Sequence, residues 1–213
     1  MLDLRKRLLF YAVTDHTWEK DNNFFNNIET SLANGVTLLQ LREKNITKDA
    51  YIAIAKETKK LCQKYSVPLV INDSLEVALE VKADALHIGQ DDGNVKTIKT
   101  LLPHHIILGV SAQTVEQARQ AEKDGADYLG VGTIFPTKTK VDAKSVSLET
   151  LKQICNAVKI PVVAIGGINL DNINLLKHTG IAGVALVSAI YGATDIQHEC
   201  KKILQILKET NFQ

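Results

Sequence analysis

The sequence predicts a closed (β/α)8 barrel, one domain spanning residues 1–213, and three observations carry that reading. Eight short apolar runs rich in β-branched residues alternate with stretches of helical spacing, the pattern of a parallel sheet covered by helices. The even-numbered runs each follow a helix-stopping turn: "NGV" at 34–36, "KAD" at 82–84, "DGAD" at 124–127 and "TGIA" at 179–182. Runs three, five and seven begin near Pro68, Pro103 and Pro161, and this even-odd alternation fits a closed barrel better than an open doubly wound sheet.

Taken in order, the elements also place the chemistry. The first run, "LLFYAV", is a strand leading to Thr14 and Asp15; the basic residues before it do not make a secretory leader, because the run is short, closes on an acid and offers no small-residue cleavage site. "VTLLQL" is the second strand and leads to Gln40, Arg42 and Lys44. The helix after it shows Tyr51, Ile54, Ala55, Leu61 and Cys62 at apolar spacing. "PLVIN" ends at Asn72 and Asp73, "ALHIG" carries His87 and leads to Gln90, Asp91 and Asp92, and "HIILGV" leads to Ser111. "DYLGVG" opens a loop holding Thr137, Thr139 and Lys140; "PVVAIG" ends in Gly166 and Gly167; "AGVALV" ends at Val187, Ser188 and Ala189. The chain finishes on a helix striped by Ile196, Cys200, Ile203, Leu204 and Leu207. Every strand end therefore contributes a polar or glycine-rich position at the rim where such barrels carry their active sites.

Composition narrows the function classes. Lys and Arg total 25 against 24 acids, a net charge of +1, so no global field directs the chain to nucleic acid or an anionic membrane, and charge recognition must be local. The longest apolar run, "IAGVALVSAIY", is well short of the ~20 residues a membrane helix needs. Cys62, Cys155 and Cys200 are odd in number and lack zinc-site spacing, which suits reduced thiols in a cytoplasmic protein.

Within the rim, Gln40, Arg42 and Lys44 alternate, so in extended backbone they share one side, and two cations converging there suit a polyanion. The alternative is a solvated strand end with a surface ion pair to Glu43. Asp73 and Asp92, from neighbouring strands, could share a hard cation such as Mg2+; the alternative is that each caps the helix that follows. Gly166 and Gly167 suit a phosphate cradle or a plain tight turn, and His87 reads as a packed or hydrogen-bonded barrel residue.

The pieces "YAVTD", "LQLREK", "INDS", "HIGQDD", "GVSAQT", "GADYLGVGTIFPTKTK", "AIGGI" and "VSAI" stand in the order in which the thiamine phosphate synthase family carries them, and over about residues 10–191 the chain resembles that family. The resemblance implies a Mg2+-dependent transferase that joins 4-amino-5-hydroxymethyl-2-methylpyrimidine diphosphate to 4-methyl-5-(2-phosphoethyl)thiazole. It implies that Gln40, Arg42, Lys44, Asn72, Ser111 and Lys140 hold the pyrimidine diphosphate and that Asp73 and Asp92 hold the metal. Thr137, Thr139, Gly167, Val187, Ser188 and Ala189 would hold the thiazole phosphate, Ser111 and Lys140 would serve catalysis, and copies of the chain would assemble. Gln113 and Thr133 depart from the family's common residues. Three other readings compete: a thiazole tautomerase of the same fold, which needs neither the acid pair nor the "PTxTK" loop; a noncatalytic ligand-binding barrel; and a phosphosugar isomerase or aldolase, for which no Schiff-base lysine stands on a strand.

Overall fold

A computed structural model describes residues 3–18, 23–137, 145–210 and 212. Its eight strands are β1 (Phe10–Val13), β2 (Leu38–Leu41), β3 (Leu69–Asn72), β4 (Ala85–Ile88), β5 (Ile107–Ala112), β6 (Tyr128–Val131), β7 (Val162–Ile165) and β8 (Gly183–Leu186). All pair in parallel with their sequence neighbours, and β8 returns to β1 to close the barrel, as the alternating pattern predicts. The strands read as continuous apolar runs because both faces are covered. Outward residues such as Phe10, Leu39, Leu69 and Leu86 pack under the helices, while Tyr11, Val13, Leu38, Val70, Ala85, Tyr128, Val163 and Ala185 meet inside.

The helices follow the predicted stripes. Lys48–Lys64 buries Tyr51, Ala55 and Cys62, and Ile196–Glu209 buries Cys200, Ile203 and Leu207. Each of the four predicted stop turns contains a residue with left-handed backbone: Gly35 (φ 107°), Lys82 (51°), Gly125 (100°) and Gly180 (87°).

Two strand glycines shape the barrel interior. A Cβ at Gly109 on β5 would lie 2.1 Å from Tyr128 Cζ, and one at Gly130 on β6 would lie 3.0 Å from His87 Cε1. Both strands therefore omit a side chain where an aromatic ring crosses the barrel, which is one of the few physical reasons for glycine inside a strand. The Tyr128 and His87 rings sit 5.4 Å apart in that space, beneath the rim that holds the polar residues.

Candidate active site

A cavity of about 420 Å3 opens among the strand ends, within the usual range for a small-molecule site. Gln40, Arg42, Asn72, Ser111, Thr137, Gly167, Val187 and Ser188 all line it, so residues from 40 to 188 converge as predicted. Lys44, Asp73, Asp92 and Ala189 are not part of its wall. Thr139 and Lys140 lie outside the described residues.

The cationic side of the site is more structured than an open pair of charges. Arg42 Nη1 donates to Asp15 Oδ2 at 2.7 Å, and Asp15 Oδ1 accepts from the Thr17 amide (2.9 Å) and hydroxyl (2.6 Å), so the guanidinium is anchored on a buried carboxylate. The alternative of a surface pair between this strand end and Glu43 does not hold: Glu43 is buried and pairs with His16 at 2.8 Å.

Lys44 Nζ lies 3.7 Å from Asp73 Oδ2. Asp73 in turn interacts with Asp92, and its carboxyl is pushed up to about 6, first by burial and then by the hydrogen bond and charge of Asp92, with Lys44 opposing. Neither acid is a helix cap. Ser74 accepts from Val77 N to cap Leu75–Glu80, and Asn94 accepts from Thr97 N to cap Val95–Leu101. Asp73 instead sits in left-handed backbone (φ 62°), and Asp92 Oδ2 accepts from Gly89 N at 2.6 Å, tightening the turn that brings it back toward Asp73. Among the described residues no group of three or more His, Cys, Asp or Glu side chains is placed to hold a metal ion. An acid pair with open positions for water and phosphate nevertheless suits Mg2+, which takes only one or two carboxylates from such a site.

Tyr51 reaches from its helix to lock the ends of β2 and β3 together. Its hydroxyl donates to the Leu41 carbonyl (2.8 Å) and accepts from the Asn72 amide (3.2 Å), fixing the neighbours of Gln40, Arg42 and Asp73 at once.

On the opposite side, the start of the loop after β6 is pinned to the glycine turn after β7. Ile134 N donates to the Ile165 carbonyl (3.1 Å), Phe135 N to the Gly166 carbonyl (3.0 Å), and Asn172 Nδ2 to the Gly167 carbonyl (2.9 Å). A Cβ at Gly167 would lie 2.5 Å from the carbonyl oxygens of both Phe135 and Pro136, so the close approach that brings Thr137 to the cavity depends on this glycine. The turn is therefore more than a plain reversal.

His87 is hydrogen-bonded within the barrel, as expected, and it also faces the cavity. Its Nε2 is 3.0 Å from Ser111 Oγ and its Nδ1 is 3.0 Å from the Tyr128 hydroxyl. Tyr11, Tyr128 and Tyr51 escape sequence reasoning because a tyrosine in an apolar run looks like core. The glycines in "ILGVSA" and "YLGV" were the available signal for the crossing rings. The cysteines are free thiols, and burial pushes Cys62, Cys155 and Cys200 up to about 12, which removes them as nucleophiles.

Comparison with known proteins identifies the family of the chain. A family model described as thiamine monophosphate synthase matches residues 10–190. Thiamine-phosphate synthase of Clostridium tetani is 47% identical over 199 residues, covering 93% of this chain and 95% of the relative. Thiamine-phosphate synthase 2 of Streptococcus pneumoniae strain TIGR4 is also 47% identical, over 95% and 97% of the two chains. The solved thiamine phosphate pyrophosphorylase of Pyrococcus furiosus superposes with a TM-score of 0.90 at 37% identity, covering 97% and 98% of the two chains. With (S)-3-O-geranylgeranylglyceryl phosphate synthase of Thermoplasma acidophilum, at TM-score 0.69 and 13% identity, the chain shares only the fold. Matched over residues 10–190 by the family model and over 93% of its length by a thiamine-phosphate synthase, the chain belongs to the thiamine monophosphate synthase family.

Proposed function

We propose that residues 1–213 act as one catalytic domain that couples 4-amino-5-hydroxymethyl-2-methylpyrimidine diphosphate to 4-methyl-5-(2-phosphoethyl)thiazole, giving thiamine phosphate and diphosphate. The observation that carries this reading is the acid pair: Asp73 and Asp92 stand together beside Lys44, and neighbouring residues cap the helices in their place. Two carboxylates held against their mutual repulsion suit a cation-assisted site for a polyanion.

In the reaction the bond from the pyrimidine methylene to the diphosphate oxygen breaks with its electron pair, and the thiazole nitrogen forms the new bond to that carbon. No strong base is needed. Arg42, oriented by Asp15, and Lys44, drawn toward Asp73, supply positive charge for the diphosphate, with Lys140 as a third cation. Gln40 and Asn72 orient the pyrimidine, and Ser111 donates its hydroxyl hydrogen toward the departing oxygens. Mg2+ bound by Asp73 and Asp92 would neutralise charge on the leaving diphosphate. Thr137, Thr139, Gly167 and the main chain from Val187 through Ser188 to Ala189 hold the thiazole phosphate on the far side.

No helix among the described residues is long and apolar enough to cross a membrane. The three free thiols support a cytoplasmic location. Purified protein incubated with both substrates and Mg2+ should release thiamine phosphate, and omission of either substrate should stop it. A folded sample that binds the thiazole phosphate yet makes no product would return the chain to a binding role. Size-exclusion chromatography of the active sample reports whether copies assemble.

A further inference from the structure

Beneath the cavity, five polar side chains from five strands form one unbroken chain of hydrogen bonds. Gln40 Nε2 donates to the Tyr11 hydroxyl at 2.5 Å; Tyr11 and Tyr128 hydroxyls are 2.9 Å apart; Tyr128 meets His87 Nδ1 at 3.0 Å; His87 Nε2 meets Ser111 Oγ at 3.0 Å. We propose that Tyr128 is a positioning residue that sets the tautomer of His87 and so turns the hydroxyl hydrogen of Ser111 into the cavity.

The direction follows from donor arithmetic. The amide nitrogen of Gln40 can only donate, so the Tyr11 oxygen accepts there and spends its single hydrogen on Tyr128. Tyr128, having accepted from Tyr11, gives its own hydrogen to His87 Nδ1. A neutral imidazole with Nδ1 accepting carries its proton on Nε2, which then donates to Ser111 Oγ. The Ser111 hydrogen is thereby released toward the cavity that Ser111 lines. Burial holds both phenols far above their ordinary ionisation range, so each keeps the hydrogen this ordering requires. The ring positions are not incidental, since Gly109 and Gly130 vacate the space that Tyr128 and His87 occupy.

On the function proposed above, a serine hydroxyl that already accepts from an imidazole N–H is a stronger donor to an oxygen gaining charge as diphosphate departs. Tyr128 itself is fully buried and does not line the cavity, so it acts through His87 and Ser111.

Nitrogen-15 NMR of the histidine side chains in the unliganded protein tests the ordering without reference to catalysis. His87, assigned by comparison with His87→Gln, should show the Nε2–H tautomer. An Nδ1–H tautomer would mean that the chain runs in reverse, from Ser111 to the amide oxygen of Gln40, and would overturn the proposal. Tyr128→Phe should shift His87 toward a tautomer mixture and lower kcat about tenfold with little change in KM, less than loss of a direct donor to the reacting oxygens costs. In a Ser111→Ala background the same change should cost almost nothing further. An additive loss in the double variant would assign Tyr128 to packing alone. If Tyr128→Phe does not fold, the tautomer in the unaltered protein still decides, and if the protein makes no thiamine phosphate the NMR result stands by itself.

Discussion

Asp73 and Ser74, adjacent in the chain, carry separate burdens that residue type alone leaves superposed. Both side chains are good helix caps, so the string "NDS" does not say which one caps. The backbone decides: left-handed φ at Asp73 turns its carboxylate toward Asp92, and Ser74 takes the cap. Opposite consequences follow for the two residues. Ser74→Ala should lose about 1 kcal/mol of stability, the usual value of a cap. Asp73→Asn keeps a residue that tolerates left-handed backbone and removes a carboxyl whose folded value, about 6, lies above its ordinary 3.8. An acid with a raised folded value binds more protons folded than unfolded, so its contribution to stability falls as pH rises between those values and stays unfavourable above them. With chelator present, Asp73→Asn should match the unaltered protein near pH 4 and exceed it by on the order of 1–2 kcal/mol above pH 6, discounted for a side chain one-third exposed. Urea unfolding across that range reads the difference, and equal stability of the two proteins at pH 7 would mean that neither burial nor Asp92 disfavours the Asp73 charge. Activity should be lost although stability rises, the combination expected of a functional strain.

At the scale of elements, the eight strands and their partner helices were legible because period and turn chemistry are local. The four stop turns were read from three or four residues each, and every one holds a left-handed residue. The contacts that organise the site were not legible, because they join distant segments: Tyr11 to Tyr128 across 117 positions, Arg42 to Asp15 across 27. The same holds for the turn after β7, whose glycine pair suggested a phosphate cradle but not its second task of seating the loop after β6. Gly167→Ala places a side chain at φ 64° and 2.5 Å from two carbonyl oxygens, so it should cost roughly 2 kcal/mol or more and displace Thr137. Under the proposed division of the site, KM for the thiazole phosphate should rise at least about tenfold while KM for the pyrimidine diphosphate stays within about twofold. Gly180→Ala, also left-handed but on the predicted stop turn before β8, should lose stability with neither KM changed. Equal changes in both KM values for Gly167→Ala would deny that the turn serves one substrate.

Under the proposed function, two kinds of anion holder serve one site, and they should respond differently to metal. The side built from β1 to β4 combines Arg42 and Lys44 with the acids Asp15, Asp73 and Asp92, and Arg42 and Lys44 each already have a carboxylate partner. Three acids outnumber these two cations, so this side should not attract a diphosphate strongly until a divalent ion adds positive charge at Asp73 and Asp92. On the proposed reading, the side built from the ends of β6, β7 and β8 would rely on main chain and hydroxyl groups at Thr137, Gly167, Val187 and Ser188, whose partial charges persist with or without metal. Isothermal titration of each substrate, with Mg2+ and with chelator, measures the asymmetry. Chelation should weaken pyrimidine diphosphate binding by at least about a hundredfold, on the order of 3 kcal/mol, and thiazole phosphate binding by less than about threefold. Raised salt should add little to the first effect while the divalent ion dominates, but it should weaken binding in Asp73→Asn, where metal no longer does and the partly exposed Arg42 is left to attract the diphosphate. Equal metal dependence for the two ligands would merge the two holders into one, and independence for both would remove the acid pair from substrate binding.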